Sequence, residues 1–136
     1  MIALDTNVLA RFYAAPGSPS EVAEQRRAAA LLASERALFV PVTVVLELAW
    51  VLIGRYECDP PTVERVFAHL LSLPNVTVES DAAVALAVAW HRKGLDFADA
   101  LHLARSGHCT ELASFDKRRF ANRAGRLGLK PAVRLP

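Results

Sequence analysis

The chain is predicted to be an α/β protein, a three-layer sandwich in which a central parallel sheet of short strands is flanked by helices. Short apolar runs alternate with longer segments whose apolar residues recur at helical spacing, the pattern typical of strand–helix–strand units. The runs are apolar throughout, as strands covered on both faces require. Because no repeat or linker interrupts this pattern, we expect one domain over residues 1–136.

The elements can be assigned in order along the chain. The predicted strands are residues 1–4, 38–41, 76–79, 111–114 and 130–135. The predicted helices are residues 6–14, 21–34, 43–55, 62–72, 82–93, 96–106 and 117–127. Thr43, Asp81 and Asp96 are residues that cap helix starts, whereas Gly94 and Gly128 end helices.

Composition excludes several classes of protein. With 53% hydrophobic and 22% charged residues, the chain is expected to form its own core and not to be disordered. Cys58 and Cys109 form no C-x-x-C pair, so we expect free thiols and no disulfide framework or structural zinc site. The longest apolar run, residues 82–90, is half the roughly 18 residues that span a bilayer, and no signal peptide is recognisable. We expect a soluble, cytoplasmic protein without a membrane partner.

Charge is distributed unevenly, although the net charge is only +2. No acidic residue follows Asp116, whereas seven basic residues do: Lys117, Arg118, Arg119, Arg123, Arg126, Lys130 and Arg134. Such a segment is typical of a surface that binds a polyanion such as nucleic acid. A solvated helix face would give the same pattern, so charge alone leaves both interpretations open.

Acidic residues occur where a parallel sheet would bring them to one edge. Asp5 follows the first predicted strand, Glu47 lies early in the helix after the second strand, and Asp116 follows the fourth. Asp96 and Asp99 open a helix at i, i+3 spacing, which places them on one face. Sites of open parallel sheets lie beyond the carboxyl ends of the strands, so we expect these acids to converge.

Converging carboxylates repel one another unless a cation neutralises them. A set of oxygen ligands without histidine or cysteine favours Mg²⁺ or Mn²⁺. Each acid also has a simpler structural interpretation: Asp5 and Asp96 as helix caps, Glu47 as a solvated side chain, and Asp116 as a turn residue. His102 lies among apolar residues, and we expect it to be packed and not to be a ligand.

Four segments around these acids resemble the motifs of PIN domains, in particular of VapC-type toxins from bacterial toxin–antitoxin pairs. The segments are residues 2–7 (IALDTN), 43–52 (TVVLELAWVL), 95–104 (LDFADALHLA) and 114–120 (SFDKRRF). Their order and spacing match over nearly the whole chain, and only Ser114 departs, standing where threonine is usual in the family. Asp96 matches a more variable position of the third motif.

The resemblance implies a PIN fold and a Mg²⁺- or Mn²⁺-dependent endoribonuclease that hydrolyses RNA phosphodiester bonds. It implies that the catalytic residues Asp5, Glu47, Asp99 and Asp116 bind the metal, with Asp96 as a further ligand. It also implies a cognate antitoxin partner and a homodimer. We expect a second set of residues to bind the phosphate or the RNA substrate: Thr6, Asn7, Ser114, Lys117, Arg118 and Arg119.

Other functions place an aspartate after the first strand as well. A haloacid dehalogenase-type phosphatase would need a second aspartate at the position of Asn7, and a receiver domain would need an acid pair near the start of the chain. A PIN-like domain that binds RNA or a protein partner without cleavage remains the alternative. Trp50 and Trp90 are expected in the core or in a dimer interface.

Overall fold

The computed structural model describes all 136 residues, which divide into two compact units, Met1–Asp81 and Ala82–Pro136. The α/β class is confirmed, because seven α-helices alternate with short strands and every strand pair is parallel. No helix combines the length and the apolar character that a transmembrane segment needs.

The first unit contains a three-stranded sheet and four helices. Its elements are β1 (Ile2–Ala3), α1 (Thr6–Tyr13), α2 (Pro19–Leu32), β2 (Leu38–Val40), α3 (Val42–Gly54), α4 (Pro60–Ser72) and β3 (Val76–Val78). Strand β2 lies in the centre, where Leu38 is in register with Ile2 of β1 and with Val76 of β3. The carboxyl ends of these three parallel strands therefore point the same way.

Apolar side chains at helical spacing build the core of this unit. Helix α3 buries Leu48 and Leu52, and helix α4 buries Val63, Phe67 and Leu70. Residues three and four apart lie on one face of a helix, so each helix presents a continuous apolar stripe. Full burial of each such side chain is worth about 1.5–3 kcal/mol, which makes these stripes the main source of stability.

The second unit contains a two-stranded parallel sheet and the remaining helices. Its elements are α5 (Asp81–Arg92), α6 (Phe97–Arg105), β4 (Glu111–Ala113), a π-helical segment (Lys117–Ala121), α7 (Asn122–Arg126) and β5 (Ala132–Arg134). Leu112 of β4 is in register with Val133 of β5. Phe97, Leu103 and Phe120 are buried in this unit.

The observed element ends agree with the predicted ones to about two residues, because capping residues mark them. Asp59 accepts a hydrogen bond from Thr62 N at 2.9 Å and thereby caps α4. Gly94 and Gly128 adopt positive φ angles of 106° and 66° just beyond helices, a conformation that glycine adopts without steric cost. The predicted helix-ending role of both glycines is confirmed.

The predicted N-cap of α3 is wrong. The helix begins at Val42, one residue before Thr43, and Pro41 at its N-cap provides no side-chain hydrogen bond. Instead, Oε2 of Glu79, just after β3, accepts a hydrogen bond from Val42 N at 2.8 Å. The cap comes from a residue that is distant in sequence, so the local pattern around Thr43 could not indicate it.

The predicted helix over residues 117–127 is also only partly correct. It opens with the π-helical segment, in which Ala121 N donates to the carbonyl oxygen of Asp116 at 3.0 Å, five residues back. Regular α-helix follows only from Asn122. Such π-helical turns are rare and frequently occur at functional sites, and this one directly follows Asp116.

Candidate active site

Three of the predicted acids lie in the second unit, and two of them are joined at the start of α6. Asp96 precedes the helix and is exposed, and its Oδ1 accepts a hydrogen bond from Asp99 N at 3.1 Å. Asp99 lies in the first turn, where the positive end of the helix dipole favours a carboxylate, and its side chain is half-buried. The helix-cap interpretation of Asp96 is thus correct, and it leaves the second carboxylate oxygen available.

The third acid, Asp116, is held by hydrogen bonds on both sides. Its backbone N–H donates to Ser114 Oγ at 3.1 Å, and its Oδ1 accepts from Arg119 N at 2.8 Å. Ser114 N in turn donates to the carbonyl oxygen of Arg134, the last residue of β5. The Ser114 hydroxyl therefore orients Asp116, while its predicted contact with substrate stays a prediction.

The charges of these acids influence one another. The pKa of Asp99 is raised above its ordinary value, first by burial and then by the negative charges of Asp96 and Asp116. His102 partly offsets this rise. His102 is exposed, so its predicted packing among apolar residues is wrong. A half-buried carboxylate that faces two like charges is the electrostatic setting that a bound cation relieves.

The other two predicted metal-binding acids, Asp5 and Glu47, lie in the first unit with Thr6 and Asn7. Asp5 is exposed and caps α1, with its Oδ1 accepting from Thr6 N at 2.9 Å. Thr6 is 6% exposed, and its hydroxyl has no hydrogen-bond partner. Asn7 is exposed beside a cleft of about 510 Å³ between α1 and α2. Glu47 is exposed on α3.

No group of three or more Asp, Glu, His or Cys side chains is arranged to enclose a metal ion. The expected convergence of all the acids into one preformed ligand sphere is therefore not observed. The donor chemistry still fits a hard divalent cation, because Asp96, Asp99 and Asp116 offer only carboxylate oxygens and repel one another without a counter-charge. The metal-binding assignments of these residues, and of Asp5 and Glu47, stay predictions.

The basic residues after Asp116 differ in their contacts. Lys117, Arg118 and Arg119 are all exposed. A recess of about 550 Å³ is lined by Arg118, Ala121, Asn122, Gly125 and Arg126. Arg123 is engaged, because its Nη1 donates to the carbonyl oxygen of Gly94 at 3.0 Å. Lysine and arginine side chains that remain exposed are those suited to bind phosphate groups.

Arg11, a basic residue of α1, is already paired. Its Nε donates to Glu24 Oε2 at 2.6 Å, and its Nη1 lies 3.4 Å from Glu21 Oε1. These two carboxylates raise the pKa of the guanidinium group, the hydrogen bond with Glu24 most strongly. Arg11 therefore links α1 to α2, and an incoming phosphate would have to displace these partners.

Two residues near the acids escaped sequence reasoning. His91, at the end of α5, bonds through Nδ1 to the carbonyl oxygen of Leu95 at 2.8 Å and so fixes the turn that leads into Asp96. Phe115 precedes Asp116 and is 85% exposed. No local pattern indicates either role, because a histidine in a helix and a phenylalanine after a strand are more often packed.

The fold is of the α/β class, with acidic side chains at the start of α6 and directly after β4. The PIN-domain family model matches residues 2–126, so the chain belongs to the PIN-domain family. No curated protein shows significant similarity to the chain. PIN domains are commonly nucleases that act on nucleic acids, and they generally use divalent metal ions.

Proposed function

We propose that this chain is a Mg²⁺- or Mn²⁺-dependent endoribonuclease and the toxin of a type II toxin–antitoxin pair. The observation that carries the enzymatic part is the environment of Asp99, half-buried at the start of α6 with Asp96 and Asp116 raising its pKa. Membership of the PIN family supports nuclease chemistry in general. The choice of RNA and the toxin role rest on the resemblance of the four motifs.

In this proposal, Asp99, Asp96 and Asp116 hold the metal, and motif matching adds Asp5 and Glu47. When bound, a divalent ion supplies an activated water near neutral pH and offsets charge on the scissile phosphate. The side chains position the metal and the substrate. Asp96 and Asp116 are preset by backbone hydrogen bonds, so they lose little conformational freedom when a ligand binds.

Substrate binding is assigned to the basic segment. Lys117, Arg118 and Arg119 follow Asp116 directly in sequence and are exposed, so a phosphate bound by them would lie near this acid. Contacts with phosphates fix the position of the RNA backbone and do not select particular bases. We accordingly expect affinity for RNA that falls steeply as salt rises, since bound counterions are released from the phosphates.

The experiment that tests the proposed reaction uses purified chain, freed of any antitoxin, with linear and circular RNA. Cleavage in Mg²⁺ or Mn²⁺ that EDTA abolishes is the expected result, and cleavage of the circle identifies an endonuclease. Intact RNA under all conditions would leave the alternative, a PIN-like domain that binds RNA or a partner without cleavage. The use of the Asp5 and Asp96 carboxylates as helix caps is the observation that favours this alternative.

The toxin role needs its own test. Induction of the wild-type chain in a bacterial host is expected to arrest growth, whereas induction of the Asp99→Asn variant is expected to leave growth unaffected. Co-expression of an antitoxin encoded beside the toxin gene is expected to restore growth, because the antitoxin would bind the chain and block its activity. Growth arrest by the wild type and by Asp99→Asn alike would contradict the toxin role. RNA cleavage in vitro without any effect on growth would contradict it as well, and neither result would bear against the proposed nuclease.

The homodimer is proposed on the resemblance and on Trp50. This residue is 73% exposed on α3, so the expectation that it lies in the core is wrong and an interface is the interpretation that remains. Analytical ultracentrifugation of the wild type and of Trp50→Ser is the test. A dimer that dissociates on substitution supports the proposal, and a monomeric wild type contradicts it.

A further inference from the structure

Phe115 stands out among the apolar side chains of the second unit. It is 85% exposed, more than any other large hydrophobic residue of the chain. Burial of an aromatic ring is strongly favourable, so a ring exposed to water beside a candidate active site is available to contact another molecule.

The backbone around Phe115 is fixed. Ser114 N donates to the carbonyl oxygen of Arg134 at 2.9 Å, and Asp116 N donates to Ser114 Oγ at 3.1 Å. Lys117 N donates to the carbonyl oxygen of Phe115 itself at 2.9 Å. The segment therefore presents the ring from a defined position next to Asp116, so a bound molecule would not have to order a flexible loop.

The charges next to the ring determine what could cover it. Lys117, Arg118 and Arg119 follow within four positions and are exposed, and the recess lined by Arg118 and Arg126 continues this basic surface. Aromatic residues and arginine also occur in protein–protein interfaces, but lysine is depleted there. An exposed aromatic ring beside several cations is the arrangement by which proteins bind single-stranded nucleic acids, with bases on the ring and phosphates on the cations.

We propose that Phe115 is a stacking residue that holds an unpaired nucleobase of single-stranded RNA beside Asp116, while the following basic residues bind the adjoining phosphates. The proposal deepens the proposed function and rests on it for the placement of RNA at this unit. Because every base has a π-face, the contact would select single strands over duplex without reading sequence.

The test measures the affinity of the full chain for a fluorescently labelled single-stranded RNA, with EDTA present to prevent cleavage. Phe115→Leu keeps an apolar side chain but removes the ring, and Phe115→Tyr keeps the ring. Phe115→Leu is expected to weaken binding about 5- to 100-fold, and Phe115→Tyr to bind like the wild type. Leu86→Ala is the matched control, since Leu86 is also an exposed apolar residue of this unit.

An abasic RNA separates stacking from other contributions. Loss of bases is expected to weaken binding by the wild type and to have little further effect on Phe115→Leu, because both changes remove the same contact. The proposal would be overturned if Phe115→Leu bound single-stranded RNA as tightly as the wild type, or if the wild type did not bind RNA. It would also be overturned if Phe115→Leu weakened the binding of abasic or duplex RNA as much as that of single-stranded RNA. A change of oligomeric state in Phe115→Leu with unchanged RNA affinity would assign the ring to a protein interface and would also overturn it.

Cleavage in Mg²⁺ is measured separately on the same proteins, so that the two proposals can fail independently. RNA binding that depends on Phe115 without any cleavage would contradict the proposed nuclease and leave the stacking contact standing. Metal-dependent cleavage with equal RNA affinity in the wild type and Phe115→Leu would contradict only the stacking contact. Equal melting temperatures are expected for all variants, because the ring is exposed.

Discussion

Asp96 acts on Asp99 in two opposing ways. Its Oδ1 accepts a hydrogen bond from Asp99 N at 3.1 Å, which stabilises the start of α6. Its negative charge also contributes to the raised pKa of the Asp99 side chain. The cap holds the two carboxylates near each other, and the resulting repulsion is a cost that a bound cation would remove.

The two effects of Asp96 can be separated by substitution. Asparagine caps helices as well as aspartate but carries no charge, whereas alanine loses the cap at about 1 kcal/mol. We therefore expect Asp96→Asn to be at least as stable as the wild type in EDTA at neutral pH, and Asp96→Ala to be less stable. Urea unfolding measures both, and equal destabilisation by the two substitutions would contradict the repulsion.

Asp99 should make stability depend on pH in a defined direction. Because its pKa is raised in the folded chain, the folded state takes up the proton more readily than the unfolded state, so the ionised carboxylate lowers stability at neutral pH. Asp99→Asn is expected to raise metal-free stability at pH 7. The gain should disappear as pH falls toward the ordinary value of 3.8, where the wild-type side chain is protonated. Thermal unfolding of both proteins across this range is the measurement, and a gain that grows at low pH would be the wrong sign.

Metal binding should appear as stabilisation of the folded chain. Millimolar Mn²⁺ is expected to raise the melting temperature of the wild type, with a gain of roughly 2.7 kcal/mol when the free ion exceeds its Kd a hundredfold. Asp99→Asn should respond weakly, because it removes one ligand. Glu35 is an exposed glutamate in the loop that follows α2, so Glu35→Gln should respond to Mn²⁺ like the wild type. A wild type insensitive to Mn²⁺ and Mg²⁺ would count against the site.

The cap that Glu79 provides to α3 gives a prediction about stability. Glu79→Ala removes the acceptor of the Val42 N–H, and we expect a loss of about 0.5–2 kcal/mol, the usual range for an N-cap. Thr43→Ala should cost much less, since no side-chain cap involves Thr43. Chemical denaturation of the two variants decides between the observed cap and the one expected from sequence, and a larger loss in Thr43→Ala would reverse the assignment.

Sequence was sufficient for the fold class and for most element ends, because short apolar runs and capping residues act locally. Gly94 and Gly128, which end helices as predicted, are examples. Sequence-based prediction failed where a residue's hydrogen-bond or packing partner is distant in sequence or absent. Glu79 lies 37 residues from Val42, and the 85% exposure of Phe115 is not indicated by any pattern in its sequence neighbours.

The candidate site was predictable in composition but not in arrangement. Asp96, Asp99 and Asp116 interact electrostatically as expected, whereas a complete ligand sphere is not preformed. Sequence spacing predicts which residues follow strands and helix starts, but it does not give the position of each carboxylate. The π-helical segment after Asp116 was equally hidden, since five residues are too few for a period to distinguish it from an α-helix.

We propose that Asp99 supports metal-dependent cleavage of RNA. The most direct test is the initial rate of cleavage in Mn²⁺ by the wild type, Asp99→Asn and Glu35→Gln, each with a parallel reaction in EDTA. We predict a rate that EDTA abolishes, a fall of more than about a hundredfold in Asp99→Asn, beyond the loss typical of an outer-sphere partner, and no change in Glu35→Gln. Cleavage by Asp99→Asn at the wild-type rate would contradict the role of Asp99, and cleavage that persists in EDTA would contradict metal dependence.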